Sequence, residues 1–265
     1  MSKKTQVILI GIGGATCSGK TTLAKHLKRI LPNSVIIHQD DFAPPQELVP
    51  VHPVHNVQDW DAAPGAIDWP RLINFLREVK ATGEIPADHR SHDHLNEQKD
   101  LPISDAARDR WIARFESLRA QRAADGGEDI VWGLVDGFLL YWHPEVIAQL
   151  DVRIYLRVPH DVLRARRHER HGYHTAGRSR VPCCCPCYNP DRARCGATRR
   201  TTGENIVYPA YVDANREVFE DGDVEKGKPT GKVEKLVLLE SLEMSMDESV
   251  SRSCEVIAGF VDGKR

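Results

Sequence analysis

An α/β fold, with a parallel sheet covered by helices on both faces, is predicted by three observations. Short apolar runs alternate with stretches of helical periodicity along the chain, the pattern of strand–helix–strand units. The first run, Val7 to Ile12, is nearly continuous, as a strand buried on both faces requires. Glycines follow it at once and an amphipathic helix follows them, which is how a parallel crossover begins.

Each element can be justified in turn. Leu23, Ala24, Leu27, Ile30 and Leu31 have helical spacing, so residues 22–31 form a helix that Pro32-Asn33-Ser34 ends. Val35-Ile36-Ile37 opens a second strand. Residues 43–67 carry many prolines and no sustained period, and read as loop. Asp68 is an N-cap with Pro70 in the first turn behind it, and Gly83 stops that helix after Thr82. A polar excursion at about 84–125 begins with a histidine-bearing loop. It continues as a polar helix from Ser104 to Ala123, with Trp111, Ile112, Phe115 and Leu118 on one face. Asp129 to Val135 is a strand ending at Asp136-Gly137, and Val152 to Val158 is another. Pro159 begins a basic helix that runs to about Arg170. Lys235 to Leu239 reads as a strand and Met246 to Val261 as a closing helix. No internal repeat is visible, and residues 1–265 read as one domain.

Composition narrows the function. Lys and Arg total 36 against 38 Asp and Glu, a formal charge of -2, which argues against nucleic acid as the main partner. No apolar stretch reaches membrane-spanning length. The run after Met1-Ser2-Lys3-Lys4 leads into glycines rather than a signal-cleavage site, so the cytoplasm is the expected compartment. Five of the seven cysteines crowd into residues 183–195, a local cluster rather than a disulfide framework.

The strongest chemical signal is Gly14-Ala15-Thr16-Cys17-Ser18-Gly19-Lys20-Thr21, a full G-x-x-x-x-G-K-[ST] match between a strand and a helix. It makes the fold class a three-layer P-loop NTPase. Gly14, Ser18, Gly19, Lys20, Thr21 and Thr22 are the expected contacts to ATP phosphates. Lys20 reaches the β- and γ-phosphates, and the Thr21 hydroxyl faces Mg²⁺. Asp40, in Gln39-Asp40-Asp41-Phe42, lies where strand ends converge on a ligand crevice. A carboxylate there can accept the proton of an attacking hydroxyl or hold Mg²⁺ through water. Asp136 occupies the equivalent place on a third strand and resembles a Walker-B acid, catalytic or metal-holding. The plainer alternative for both is an aspartate that caps a loop. Arg164, Arg166, Arg167 and Arg170 stud one short helix. This suits a lid that clamps phosphate, with Arg166 and Arg170 on the nucleotide. A solvated charged face or a nucleic-acid patch are the alternatives. His89, His92 and His94 lack ordered metal-ligand spacing and read as a solvated loop.

Taken together, Gly14 to Leu27, Gln39-Asp40-Asp41-Phe42, Gln58-Asp59-Trp60-Asp61, Asp136-Gly137-Phe138-Leu139-Leu140 and Ile206-Val207-Tyr208-Pro209 resemble the nicotinamide riboside kinases. The fungal type, within the P-loop uridine kinase-like superfamily, is the nearest in kind. The similarity runs in order from residue 6 to the C-terminal helix. It implies ATP- and Mg²⁺-dependent phosphorylation of the riboside 5′-hydroxyl, with nicotinic acid riboside as a second substrate, in NAD biosynthesis and salvage. It implies that Asp40 lies by that hydroxyl, that Asp136 serves catalysis or the metal, and that Trp60 and Asp61 take the substrate with help from Arg167. An indole face attracts a pyridinium cation, and a carboxylate accepts from a ribose diol, so the chemistry agrees. The expected partner is a small-molecule riboside, with no nucleic acid and no membrane, in a monomer or homodimer. A uridine- or pantothenate-type kinase, or a nucleotide-binding protein without transfer activity, are the rival readings.

Residues 177–203 depart from that family. After His174-Thr175-Ala176 the resemblance implies a lid of the form Gly-Thr-Leu-Trp-Arg-Asp-Pro-Pro-Asp-Tyr-Trp, then Glu-Asn-Ile-Val-Tyr-Pro. The chain instead carries Cys183-Cys184-Cys185-Pro186-Cys187 and then Arg194 to Gly203. Thr-Leu-Trp-Arg-Asp-Pro-Pro-Asp-Tyr-Trp can be written ACG CTG TGG CGC GAC CCG CCG GAC TAC TGG. Shifted by one base, it translates as Arg-Cys-Gly-Ala-Thr-Arg-Arg-Thr-Thr-Gly, which is residues 194–203 in order. The segment therefore reads as the family lid out of frame, preceded by an unspliced or misread stretch from Gly177 to Ala193, with the frame restored at Glu204. The competing reading, a zinc knuckle, is poor because three adjacent cysteines cannot surround one tetrahedral ion and no second spaced pair follows.

Overall fold

The computed structural model describes residues 5–91, 101–169 and 203–263. Strands β1 (Thr5–Gly14), β2 (Ser34–His38), β3 (Asp129–Gly137), β4 (Val152–Arg157) and β5 (Leu236–Glu240) form one sheet. Their order is β2-β3-β1-β4-β5 and every pairing is parallel. The near-continuous apolar runs reflect this directly, because alternate residues of one strand enter two different cores. Val7 and Leu9 of β1 point to one core, and Ile8, Ile10 and Ile12 to the other.

The helices are α1 (Lys20–Ile30), α2 (Ala63–Ala66), α3 (Trp69–Thr82), α4 (Asp105–Ala124), α5 (Pro144–Gln149), α6 (His160–Glu169), α7 (Tyr208–Asn215) and α8 (Met246–Val261). The first core is closed by Leu72, Leu76 and Val79 of α3, Val146 of α5 and Tyr211 of α7. The second is closed by Leu23 and Leu27 of α1, Phe115 of α4 and Ile257 of α8. Three layers result, as the alternation predicts.

Local chemistry sets the boundaries. Asp68 accepts the Arg71 N–H at 3.1 Å and starts α3, and Gly83 ends it in a left-handed conformation, φ 77°, that a residue with Cβ resists. Ser245 and Glu248 form a reciprocal capping box at the start of α8.

Two expectations need correction. The stretch 84–125 is not a surface excursion throughout. Its helix, α4, belongs to the second helical layer, where Trp111, Phe115 and Leu118 are buried. Trp111 Nε1 donates to Ser251 Oγ at 3.1 Å, and Ser104 N donates to Asp247 Oδ1 at 2.8 Å, so both ends of the contact are fixed to α8. The loop expected over 43–67 contains a 3₁₀ turn at Gln46–Leu48, an antiparallel bridge between Val51 and Gln58, and α2. These pieces are shorter than any period can reveal. Among the described residues, no helix is long and apolar enough to cross a membrane.

Candidate active site

The site lies at the carboxyl ends of β1, β2 and β3. Their register puts Ile12, Asp136 and His38 level across the three strands. In an open parallel sheet this edge is where a ligand crevice forms. β1 ends at Gly14 with φ 137°, and a Cβ there would run into the Leu156 carbonyl oxygen. The turn continues through Cys17, φ 63°, to Gly19, φ 101°, which precedes α1. Lys20 folds back over this loop and its Nζ donates to the Ala15 carbonyl at 2.8 Å. Ser18 Oγ is buried and has no hydrogen-bond partner among the described residues. By helix geometry the N–H groups at the start of α1, those of Thr21 and Thr22 among them, fall outside the intrahelical ladder and can point at a ligand. An orphaned hydroxyl, an ammonium and the first turn of a helix together fit a bound phosphate. Thr22 is half-buried on α1.

Asp136 is 6% exposed and accepts the Thr21 hydroxyl at 2.5 Å, with His38 Nδ1 at 3.3 Å. Burial works to raise its carboxyl's proton affinity, but hydrogen bonds from His38 and Thr21 and the charge of Lys20 outweigh it. Asp136 therefore stays below the usual carboxylate range. Asp40 sits on the 3₁₀ turn Gln39–Phe42 that follows β2. Gln39, fully buried, ties that turn to the end of β3 by accepting the Leu139 N–H at 2.9 Å. Asp40 keeps part of its surface open to water, yet neighbouring protein atoms crowd its carboxyl. The crowding, with Asp136 second, pushes its carboxyl up to about 6 against the pull of Lys20. Water at the open face tempers the size of that shift, and its direction is upward. The two acids are thus driven apart, one staying ionised and one placed to take up a proton near neutrality. Among the described residues, no three His, Cys, Asp or Glu side chains cluster as a metal cage. Thr21 and Asp136 are instead the kind of sparse donor set that suits Mg²⁺ held chiefly by phosphates.

Asp61 faces this centre from the loop before α2. Crowding raises its carboxyl to about 6. Arg167 opposes the rise, and Asp59 and Asp40 add to it, so these four charges share one neighbourhood. Trp60 is half-buried, and its indole has no ring or hydrogen-bond partner among the described residues. The basic helix α6 lies against the same centre. Arg166 Nη1 donates to the Cys17 carbonyl at 3.3 Å, so it rests on the crest of the phosphate loop. Arg164 is engaged elsewhere, with Glu204 at 2.7 Å. Arg167 lines a cavity beside Ala15 and Thr16 whose walls include Phe138, His160, Tyr208 and Tyr211. Trp60 and Asp61 are not among that cavity's lining residues.

A nicotinamide riboside kinase of Saccharomyces cerevisiae is 32% identical over 224 residues, 84% of this chain and 83% of that protein. The chain belongs to the nicotinamide riboside kinase family. Further members are similar as well. That of Eremothecium gossypii is 33% identical over 63% of this chain and 66% of its own. That of Schizosaccharomyces pombe is 28% identical over 94% and 95%. No protein-family model matches the chain. A solved sugar kinase from Janibacter aligns with TM-score 0.37 and 12% identity over 95% of this chain and 94% of its own. That likeness is too slight to bear on the fold, which rests on the sheet topology above.

Of the residues singled out from the nicotinamide riboside kinase pattern, Lys20, Thr21, Asp40 and Asp136 converge, and Asp61 and Arg167 adjoin them. Arg170, His92, His94 and most of the segment 177–203 lie outside the described residues. His89 is not solvated as expected. Its ring stacks on Phe42 with centroids 5.5 Å apart, and its Nε2 is 3.7 Å from Asp41. Sequence reasoning assigned no role to His38, Gln39 or Asp59. His38 precedes one motif, Gln39 and Asp59 belong to motifs without a role of their own, and only the strand register or a turn reveals what each touches.

Proposed function

We propose that the chain transfers the γ-phosphate of ATP, with Mg²⁺, to the 5′-hydroxyl of nicotinamide riboside, giving the mononucleotide for NAD synthesis in the cytoplasm, with nicotinic acid riboside as a second substrate. The observation that carries this is the pair of unlike acids at the end of the sheet, set against Lys20 and beside Asp61. Membership of the family supplies the substrate. A carboxyl held near 6 is a competent base at pH 7, whereas a cap has no need of a raised proton affinity.

In this reading Asp61 accepts hydrogen bonds from the ribose diol and Trp60 offers its indole face to the pyridinium, with Arg167 on the same side. Asp40 takes the proton of the 5′-hydroxyl as the oxygen–phosphorus bond forms. The bond from γ-phosphorus to the bridging oxygen breaks, and ADP leaves with the electron pair. Lys20 and the N–H groups of the phosphate loop stabilise the charge that develops, and Arg166 reaches the same loop. Mg²⁺ would neutralise phosphate charge when bound, and Thr21, Asp136 and Asp40 are the residues that would hold it. Gly14, Ser18, Gly19 and Thr22 complete the nucleotide cradle, and Arg170 is its further lid contact.

The test is a panel assay on purified protein with ATP and Mg²⁺. Nicotinamide riboside is expected to be phosphorylated with a higher kcat/KM than uridine or pantothenate. A reversed order contradicts the substrate assignment.

A further inference from the structure

Asp59 precedes the Trp60-Asp61 pair, and its carboxylate is used locally. It is 7% exposed, and its Oδ1 accepts both the Asp61 N–H at 3.1 Å and the Ala62 N–H at 3.0 Å. This is an Asx turn, in which a side-chain oxygen stands in for a backbone carbonyl and fixes the next three residues. Its frame is rigid on both sides. Asp59 N donates to the Pro50 carbonyl at 2.8 Å, next to the Val51–Gln58 bridge. Beyond the turn, Ala66 N bonds back to Ala62, and Asp68 N bonds to the Phe42 carbonyl at 2.8 Å, two residues from Asp40. The turn therefore stands between two anchors, one of which belongs to the segment that carries Asp40.

Without the carboxylate, two N–H groups lose their acceptor at the point where the chain turns toward the cleft. Asp61 has no other structural support of this kind among the described residues, because α2 starts at Ala63 and has no side-chain N-cap. We propose that Asp59 is a positioning residue for the acceptor substrate, holding the backbone of residues 59–62 so that Trp60 and Asp61 meet the riboside in one fixed geometry. The inference rests on the functional reading above and concerns the same site. Only an acceptor oxygen is needed for the turn, so asparagine should serve as well as aspartate, whereas alanine should not.

The experiment measures nicotinamide riboside binding by calorimetry and steady-state kinetics for the full chain, Asp59→Ala and Asp59→Asn. Losing two hydrogen bonds that hold the pair should raise the riboside Kd and KM of D59A by about 10- to 30-fold. The KM for ATP should stay unchanged and D59N should behave like wild type. A general loss of folded protein would instead lower kcat and leave both KM values alone. D59A with a wild-type riboside KM overturns the inference, as does D59N impaired as badly as D59A. If D59A does not fold, D59N decides: a wild-type KM supports the turn and a raised KM contradicts it. Wild-type protein that binds no riboside sinks the functional reading and this inference with it. Wild-type binding with an unaltered D59A sinks this inference alone.

Discussion

Transfer to the riboside should fall steeply below about pH 6, because two carboxyl groups that work as anions hold their protons unusually well. Asp40 is raised from the ordinary aspartate value of 3.8 to about 6, first by crowding and then by Asp136. Asp61 is raised to about 6, again by crowding first, with Asp59 and Asp40 adding to it. A group of this kind is roughly nine-tenths ionised at pH 7 and one-tenth at pH 5, which gives about a tenfold loss. If both must be ionised, the loss approaches about a hundredfold and the limiting slope approaches two. Asp136, held low by His38, Thr21 and Lys20 despite its burial, stays ionised over this range and adds nothing. The assay is kcat/KM for nicotinamide riboside from pH 5 to 8 at saturating ATP and Mg²⁺. Asp61→Asn should lower the absolute rate and reduce the slope to one. A profile flat between pH 5 and 7 refutes the reasoning. Stability should follow the opposite sense. Both folded values lie above the unfolded one, so the contribution of these groups is fully present below about 4 and is lost as pH rises through about 6. Thermal melts of wild type and D61N should therefore diverge in favour of the variant as pH rises.

Three further outcomes are expected. Gly14→Ala places a Cβ against the Leu156 carbonyl at a φ of 137°. It should cost about 1–3 kcal/mol of stability and abolish ATP binding, read by thermal melts and nucleotide titration. Asp136→Asn leaves Thr21 and His38 facing a neutral amide. It should lower kcat by about 100-fold or more while riboside Kd, measured without nucleotide, stays unchanged. Replacing residues 177–203 with the in-frame family lid should raise activity. Tryptic peptides of the native protein should lack the run from Cys183 to Arg194, and finding that run contradicts the out-of-frame reading.

The fold was legible because its signals are long and redundant. Met246–Val261 emerged with the boundaries read from periodicity, and Asp68, Pro70 and Gly83 marked both ends of α3. α5, six residues long, was too short for any period to register, and so were the turns within 43–67. The sequence marks α4 as a helix but gives no sign that it is integral, because it is polar apart from Trp111, Ile112, Phe115 and Leu118. What makes it integral is a partner, α8, more than a hundred residues away. At the site, residue types and strand-end positions singled out Lys20, Thr21, Asp40 and Asp136. The division of labour between the two acids was not visible, since it depends on His38 lying level with Asp136 across a strand pair. The turn at Asp59 was hidden for a related reason. Within Gln58-Asp59-Trp60-Asp61 the aspartate reads as one more motif residue, and only its hydrogen bonds show that it acts on the backbone.

The most direct test of the central claim follows label from γ-³²P-ATP into product, comparing wild type, Lys20→Ala and Asp40→Asn, each also with the in-frame lid. The account predicts labelled nicotinamide mononucleotide phosphorylated at the 5′ position, lost in both variants. Failure of the lid-corrected protein to label nicotinamide riboside, or undiminished labelling by D40N, would contradict it.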